Sequence, residues 1–244
     1  MRTALWLLIL FVLPLLISAG LVVSARAEHW SRARWDTTGL APAADTHQEA
    51  VIQVYAARTW GWKGAFAVHS WLAYKPEGAA ATSAGRWGSA GECARACRRS
   101  AATSGRRTGA GRAAIPCCWS ICAVRRPRPP SKIQDAIARY PYRDAYVTWP
   151  GPSSSTFVAW IGREVPELGL TALPPTAIGK DFLGRQLAAT TPSGTGLQIS
   201  LGGLLGVAVG LKEVSRLNLL GLVVGVDPLG LAIKLPRLGR LGAS

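Results

Sequence analysis

Acidic residues are scarce in this chain, and the shortage is uneven. Lysine and arginine number 28 against 13 aspartate and glutamate residues, which gives a formal charge of +15. A charge of this size ordinarily indicates a nucleic-acid or anionic membrane partner. Here much of the excess lies in residues 79–131, which hold ten arginines and a single acid, Glu92. Because the basicity is mostly local, we predict no nucleic-acid partner.

Cysteine is absent from most of the chain. All five cysteines lie in residues 79–131, whereas an exported domain held by disulfides would use them to tie its strands together across the fold. Their spacings also miss the two-residue separation that is typical of zinc knuckles, and no histidine lies nearby. We therefore predict no metal site and no cofactor. The cysteines are Cys93, Cys97, Cys117, Cys118 and Cys122.

Residues 79–131 also lack leucine, phenylalanine, tyrosine, lysine and glutamine. A basic disordered arm accounts for the low hydrophobicity, but not for the cysteines. A displaced reading frame in GC-rich DNA accounts for both. Shifted by two bases, the Cys-Cys and Cys-Trp codon pairs at 117–119 encode leucine, and the hidden frame becomes apolar. We interpret 79–131 as a frame-displaced, disordered interruption of the domain.

The amino terminus is uncharged from Thr3 to Ala25, which is long enough to cross a bilayer. We predict that residues 1–27 form a transmembrane anchor, although Ala25-Arg26-Ala27 also fits a signal-peptide cleavage site. Residues 28–50 are polar and have little periodicity, as expected of a linker. The predicted location is the cell membrane, with membrane lipid as a partner.

The remaining residues, 51–244, predict one α+β domain with a small antiparallel sheet and packed helices. "VIQVYAAR" (51–58) and "AFAVHSWLAYK" (65–75) are typical of a strand hairpin. Alternation along the second strand puts Ser70 and Leu72 on one face, with His69 and Trp71 on the other. "KIQDAIARY" (132–140) has a helical apolar stripe at Ile133, Ala136 and Ile137.

A second helix is predicted from the serines of "SSSTFVAWIGREVPEL" (153–168) to Pro166. The apolar, glycine-studded tail from 193 to 241 favours buried or membrane-touching strands over a GxxxG-like helical hairpin, since each glycine costs a helix about 1 kcal/mol. Lys180-Asp181 is interpreted as a solvated loop pair.

Long segments outside 79–131 resemble the bacterial domain-of-unknown-function family numbered 3750. They include "AVIQVYAARTWGWKGAFAVHSWLAYKP" and "YPYRDAYVTWPGPSSSTFVAWIGREVPELGL", and the resemblance covers about 50–78 and 132–241. The family label implies no established activity.

A second resemblance, to permuted papain-like hydrolases and acyltransferases, is carried by "AVHSWLAY" and "SSSTFVAWI". In that pattern a histidine on an early strand precedes a nucleophile at a later helix amino terminus. The resemblance implies a permuted papain-like topology, with His69 as base and Ser154 as nucleophile, although that family uses cysteine there.

Both residues also have structural interpretations. Serines 153–155 are preferred helix caps, each of which stabilises a helix by about 1 kcal/mol, and His69 is equally compatible with a core position. Three hypotheses follow. The first is a non-catalytic, papain-like module that binds an envelope component. The second is a hydrolase or acyltransferase that uses Ser154 and His69 on an amide or ester. The third is a structural membrane protein whose tail packs on the bilayer.

Overall fold

The computed structural model describes most of the chain from residue 49 onward. The predicted anchor and linker lie almost entirely outside the described residues, as does most of 79–131. Among the described residues, no helix combines the length and apolar character needed to cross a bilayer. The described ranges are 49–59, 61–75, 77, 83–85, 122–124, 130–170, 173–210, 215–227, 231–236 and 239–242, with six residues between 9 and 20.

The first sheet has four antiparallel strands in the order β3-β2-β1-β4. Its centre is the predicted hairpin, in which Val51 pairs with Lys75 and Arg58 pairs with Val68. The second hairpin strand begins three residues later than expected, because the connection forms a 3-10 turn over Gly61–Ala65. The strands are β1 (Val51–Arg58), β2 (Val68–Lys75), β3 (Ser83–Gly85) and β4 (Cys122–Val124).

Both predicted helices are present, as α1 (Pro130–Ala138) and α2 (Ser154–Glu164). The apolar stripe of α1 faces inward, with Ile133 and Ala136 almost fully buried. Helix α2 packs on one face of the first sheet, where Phe157 and Val158 join the core around Leu72. Burial of one such large aliphatic or aromatic side chain stabilises the fold by about 1.5–3 kcal/mol.

The tail forms a second sheet of seven antiparallel strands, in chain order from edge to edge. This confirms the prediction of strands joined by turns and the α+β class, although the structure has a four-stranded and a seven-stranded sheet where one small sheet was expected. The strands are β5 (Ala188–Thr190), β6 (Gly196–Leu201), β7 (Leu205–Gly210), β8 (Ser215–Leu219), β9 (Leu222–Asp227), β10 (Ala232–Leu235) and β11 (Gly239–Gly242).

The two faces of this second sheet have an unusual distribution of side chains. Gln198, Ser200 and Asn218 are at most 2 % exposed and lie on the inner face. Many alternate positions of β6 to β11 carry exposed aliphatic side chains. We call them the outer face: Leu197, Ile199, Leu201, Leu205, Val207, Val209, Leu217, Val226, Ile233 and Leu241, which are 44–58 % exposed. Large aliphatic side chains are therefore left outside, although the inner face also buries Ala208, Val223 and Ala232.

Candidate functional site

The amino terminus of α2 is held by a hydrogen-bonded loop. The Ser153 backbone N–H donates to Thr156 Oγ1 (2.9 Å), and the Ser153 hydroxyl donates to Ile178 O (2.8 Å). Thr156 Oγ1 in turn donates to Gly179 O (2.7 Å). Gly179 has φ +88°, and a Cβ there would clash with Ser153 Oγ. The loop approaches the helix this closely because residue 179 has no side chain.

Ser154 and Ser155 fasten the same helix to β2. Ser154 Oγ accepts the backbone N–H of Ser70 at 3.4 Å, and the hydroxyls of Ser155 and Ser70 lie 3.3 Å apart. Ser154 is 3 % exposed and Ser155 is fully buried. A buried backbone N–H without a partner costs about 1–3 kcal/mol, so the Ser154 hydroxyl has a structural role as an acceptor.

His69 precedes Ser70 in the chain, but its ring contacts Trp71. The imidazole stacks on Trp71, with ring centroids 5.8 Å apart and 23° between planes. Trp71 clusters with Tyr55 and Ala57, whereas Leu72 clusters with the apolar residues of α2. The predicted alternation is thus confirmed, and His69 and Ser154 are directed to different faces of the first sheet.

Catalysis at Ser154 would require a nearby base and access for a substrate. A serine becomes nucleophilic when a base lies within about 2.6–3.2 Å of its hydroxyl and a substrate can reach it. Ser154 has almost no exposed surface, and the His69 ring stacks on Trp71. The role of His69 as base and Ser154 as nucleophile stays a prediction. The geometry favours the alternative in which the serine triplet is a helix cap and clamp.

A buried ionic cluster was missed by the sequence interpretation. Lys180 and Asp181 were expected in solvent, but they are 5 % and 4 % exposed and bind each other. Asp181 Oδ1 also accepts hydrogen bonds from Gln198 Nε2 (3.0 Å) and from Arg216 (3.3 Å). Arg163 joins through Gln198 Oε1 at 2.9 Å. The prediction of a solvated pair was therefore wrong, because partners 17 and 35 residues away cover it.

Burial and charge act against each other in this cluster. Burial lowers the pKa of Lys180 to about 8, although the Asp181 carboxylate opposes the change. Burial alone would raise the pKa of Asp181, but the neighbouring Lys180 and Arg216 hold it below its ordinary value. Both side chains are charged at neutral pH, and the Asp181 carboxylate holds two cations in fixed positions.

The outer face exposes ten aliphatic side chains on one side of the second sheet. Its side chains form continuous cross-strand rows, since Ile199 pairs with Val207 and Val207 pairs with Leu217. At one hairpin end, Trp149 is 49 % exposed and its indole N–H donates to Leu220 O (2.8 Å). Single exposed apolar residues are ordinary, but contiguous rows indicate a contact surface.

No group of three or more histidine, cysteine, aspartate or glutamate side chains within the described residues is placed to hold a metal ion. Comparison with curated proteins and with solved structures finds no match. Residues 49–182 match a family described as protein of unknown function, DUF3750. The match takes in the first sheet, both helices and the Lys180-Asp181 pair, and ends before the seven-stranded sheet. Because it spans more than half of the chain, the protein belongs to the DUF3750 family.

Proposed function

We propose that this protein is a non-catalytic, membrane-associated module of the cell envelope, anchored through residues 1–27 and docked on lipid by its outer face. The observation that carries the proposal is the second sheet, which buries Gln198, Ser200 and Asn218 on its inner face and exposes ten aliphatic side chains on its outer face. Exposing ten such side chains to water is unfavourable at about 25 cal/mol per Å². A contact that removes them from water supplies the compensating free energy.

The composition of the outer face favours lipid over another protein. Protein interfaces are enriched in aromatic residues, methionine and arginine near their centres. The ten residues of the outer face are leucine, isoleucine and valine, and the same side of the sheet also carries Thr190 and Ser215, which pair with Leu197 and Val226. An exposed aromatic side chain lies instead at the β8–β9 hairpin, where the Trp149 indole N–H donates to Leu220 O. Aliphatic side chains with aromatic residues at their border are typical of surfaces at the membrane–water interface.

The uncharged segment from Thr3 to Ala25 supports the same location. Four of its residues, Ile9, Leu13, Leu16 and Ile17, have apolar side chains that are 37–61 % exposed. A segment that inserts in the bilayer would keep the body close to the lipid, which raises the effective concentration of the outer face there. Two weak apolar contacts then act as one stable attachment.

The serine clamp supports the non-catalytic part of the proposal. Ser154 is buried and accepts a backbone hydrogen bond. This is compatible with a papain-like architecture that has lost its nucleophile. In this proposal the chain retains the helix-on-strand arrangement of the permuted papain-like type for binding an envelope component. The triplet 153–155 then serves to fix α2 against β2.

Site-specific photocrosslinking tests the lipid contact. The full chain is incorporated in vesicles of phosphatidylethanolamine and phosphatidylglycerol, with p-benzoylphenylalanine replacing Val207 on the outer face. The matched control carries the same group at Ala138, an exposed position at the end of α1. Lipid adducts at 207 in clear excess over 138 support the proposal. A crosslinked dimer, or equal adducts at both positions, overturns it.

A hydrolase or acyltransferase acting on an amide or ester is the second candidate. The observation in its favour is that the Ser154 hydroxyl lies at a helix amino terminus, against the strand that carries His69. A helix amino terminus stabilises developing negative charge. A serine-reactive fluorophosphonate separates the candidates. Labelling of the full chain that disappears in Ser154→Ala and falls in His69→Ala favours the enzyme, whereas equal background labelling of all three leaves the non-catalytic module.

A further inference from the structure

Two neighbouring hairpins of the second sheet end side by side. Leu201 pairs with Leu205 at the end of the β6–β7 hairpin, and Leu205 pairs with Leu219 beside the β8–β9 turn. The Leu220 backbone N–H donates to Leu204 O (2.5 Å), which joins the two turns. We call the exposed side chains at this end the hairpin tip: Leu201, Leu205, Leu220 and Trp149, which are 46–60 % exposed.

The hairpin tip is fixed by hydrogen bonds. The buried Asn218 side chain donates to Gly203 O (3.0 Å) and accepts the Gly221 backbone N–H (2.9 Å). The Trp149 indole N–H donates to Leu220 O (2.8 Å), and a Cβ at Gly221 would lie 3.5 Å from the indole ring. The exposed side chains are therefore presented by a fixed backbone, so binding through them requires little further ordering.

Leu220 has a backbone conformation that leucine rarely adopts. Its φ is +54° and that of Gly221 is +86°, as in a type I′ turn, for which asparagine followed by glycine is preferred. Leucine is disfavoured in this region relative to asparagine or glycine, and the Leu220 side chain is 60 % exposed. Asparagine would suit both the turn and the surrounding water. A strained residue that exposes an apolar side chain is typical of a position selected for a contact.

We propose that the hairpin tip is the end of the second sheet that inserts most deeply in the lipid, with Leu220 leading. This inference rests on the proposed docking of the outer face on lipid and adds the orientation of the sheet. The hairpin tip is continuous with the outer face, since Leu201 and Leu205 belong to both. Trp149 borders it, and tryptophan is enriched at the level of the lipid head groups. Insertion removes the Leu220 side chain from water, which is favourable for an apolar group.

The opposite end of the same sheet provides a matched control position. Leu231 also has a positive φ (+42°) and is 78 % exposed. It precedes Ala232, which pairs with Asp227 at the far end of β9, whereas Leu220 lies just before the start of β9. The six residues of β9 separate the two leucines by about 20 Å. Because Leu231 is the more exposed of the two, preferential lipid contact at Leu220 reports orientation and not exposure.

Photocrosslinking measures the orientation directly. p-Benzoylphenylalanine replaces Leu220, Leu231 or Val207, one position at a time, in the full chain incorporated in vesicles of phosphatidylethanolamine and phosphatidylglycerol. We expect acyl-chain adducts at position 220 in about threefold excess over position 231, because only the inserted end meets acyl chains. Equal yields at 220 and 231, or an excess at 231, overturn the proposed orientation, and acyl adducts at 207 in the same vesicles then leave the outer-face docking standing. Absence of acyl adducts at 207 refutes the docking and the orientation together.

Asparagine at the two leucines tests why the strained turn carries leucine. In nonionic detergent, Leu220→Asn and Leu231→Asn are expected to unfold at the same urea midpoint as wild type or a higher one, because asparagine tolerates positive φ. With p-benzoylphenylalanine replacing Val207 in vesicles, Leu220→Asn is expected to lower the yield of acyl adducts about threefold, since an apolar contact with lipid is lost, whereas Leu231→Asn leaves the yield unchanged. A midpoint for Leu220→Asn below that of Leu231→Asn would show that Leu220 serves packing within the protein, and would overturn the proposal. Equal adduct yields in the two variants would also overturn it.

Discussion

We predict that the two residues of the buried pair Lys180–Asp181 differ in how their substitution changes stability. Asp181→Asn removes the carboxylate that binds Lys180, Arg216 and Gln198, and leaves the Lys180 ammonium buried without its counter-charge. Lys180→Met removes the cation but leaves Asp181 bonded to Arg216 and Gln198. The first change leaves the buried Lys180 charge without a counter-charge, whereas the second leaves Asp181 with a cationic partner. We therefore expect Asp181→Asn to be much the more destabilising of the two.

The magnitudes follow from the burial of each group. Breaking a buried ion pair by neutralising one partner costs about 3–5 kcal/mol, which is the value expected for Asp181→Asn. The pKa of Lys180 lies at about 8 instead of 10.5, which means that keeping its charge in the folded state costs about 3 kcal/mol at neutral pH. Lys180→Met relieves this cost, so we expect it to be neutral or stabilising by up to about 3 kcal/mol.

The sign of the pH dependence is a second check on the same group. Between pH 8 and 10.5 the unfolded chain holds the Lys180 proton more tightly than the folded chain, so stability rises with pH in this window. Lys180→Met should lack this rise. Asp181, whose pKa is lowered by its cationic neighbours, contributes stability that is lost as the pH falls below the ordinary range of a carboxyl.

Urea unfolding followed by tryptophan fluorescence measures these effects on the full chain in nonionic detergent, with the difference between wild type and Lys180→Met taken at pH 7, 8, 9 and 10. A Lys180→Met chain that is less stable than Asp181→Asn would refute the reasoning. So would a wild-type stability that falls, relative to Lys180→Met, from pH 8 to 10.

Three further changes test the helix clamp and the outer face. Gly179→Ala places a methyl group against Ser153 at φ +88° and should lower the unfolding free energy by about 2–4 kcal/mol. The control Gly202→Ala, where a Cβ meets no neighbour, should lower it by about 1 kcal/mol. Both losses are measured by urea unfolding. Ser154→Ala should cost about 1–2 kcal/mol in the same assay, because a buried backbone N–H of β2 loses its acceptor; a loss below 0.3 kcal/mol contradicts the clamp. Val207→Glu should leave the unfolding free energy within about 0.5 kcal/mol of wild type, since the side chain is 45 % exposed. It should, however, lower adsorption to vesicles. Unfolding of this variant would show that the outer face is covered within the protein.

Local patterns in the sequence predicted most elements of the fold. The β-branched and aromatic residues of 51–58 and 65–75 predicted the first hairpin, and Ile133, Ala136 and Ile137 predicted α1 with its buried stripe. The start of β2 was set three residues early, because Phe66 and Ala67 bond back to Lys63 and extend the turn. At the start of β2 the Val68 backbone N–H donates to Thr176 O, a tertiary contact that sequence periodicity cannot predict.

The candidate sites depended on information that local pattern lacks. Alternation in β6 to β9 shows that two faces differ, but not which face packs on the rest of the protein, so the exposed aliphatic rows could not be foreseen. Asp181 meets Arg216 and Gln198 only after the second sheet folds over the loop. Alternation along β2 did predict that His69 and Ser70 project to opposite faces, but not that Ser70 contacts α2.

The most direct test of the proposed function is the chemical identity of the adduct formed at position 207 when p-benzoylphenylalanine replaces Val207 in vesicle-bound full-length chain. Mass spectrometry of the crosslinked peptide distinguishes a lipid acyl chain from protein. The outer-face account predicts acyl-chain adducts at 207 and not at the Ala138 control. Adducts to protein at 207, or no acyl adducts there under conditions that crosslink the amino-terminal segment to lipid, would contradict it.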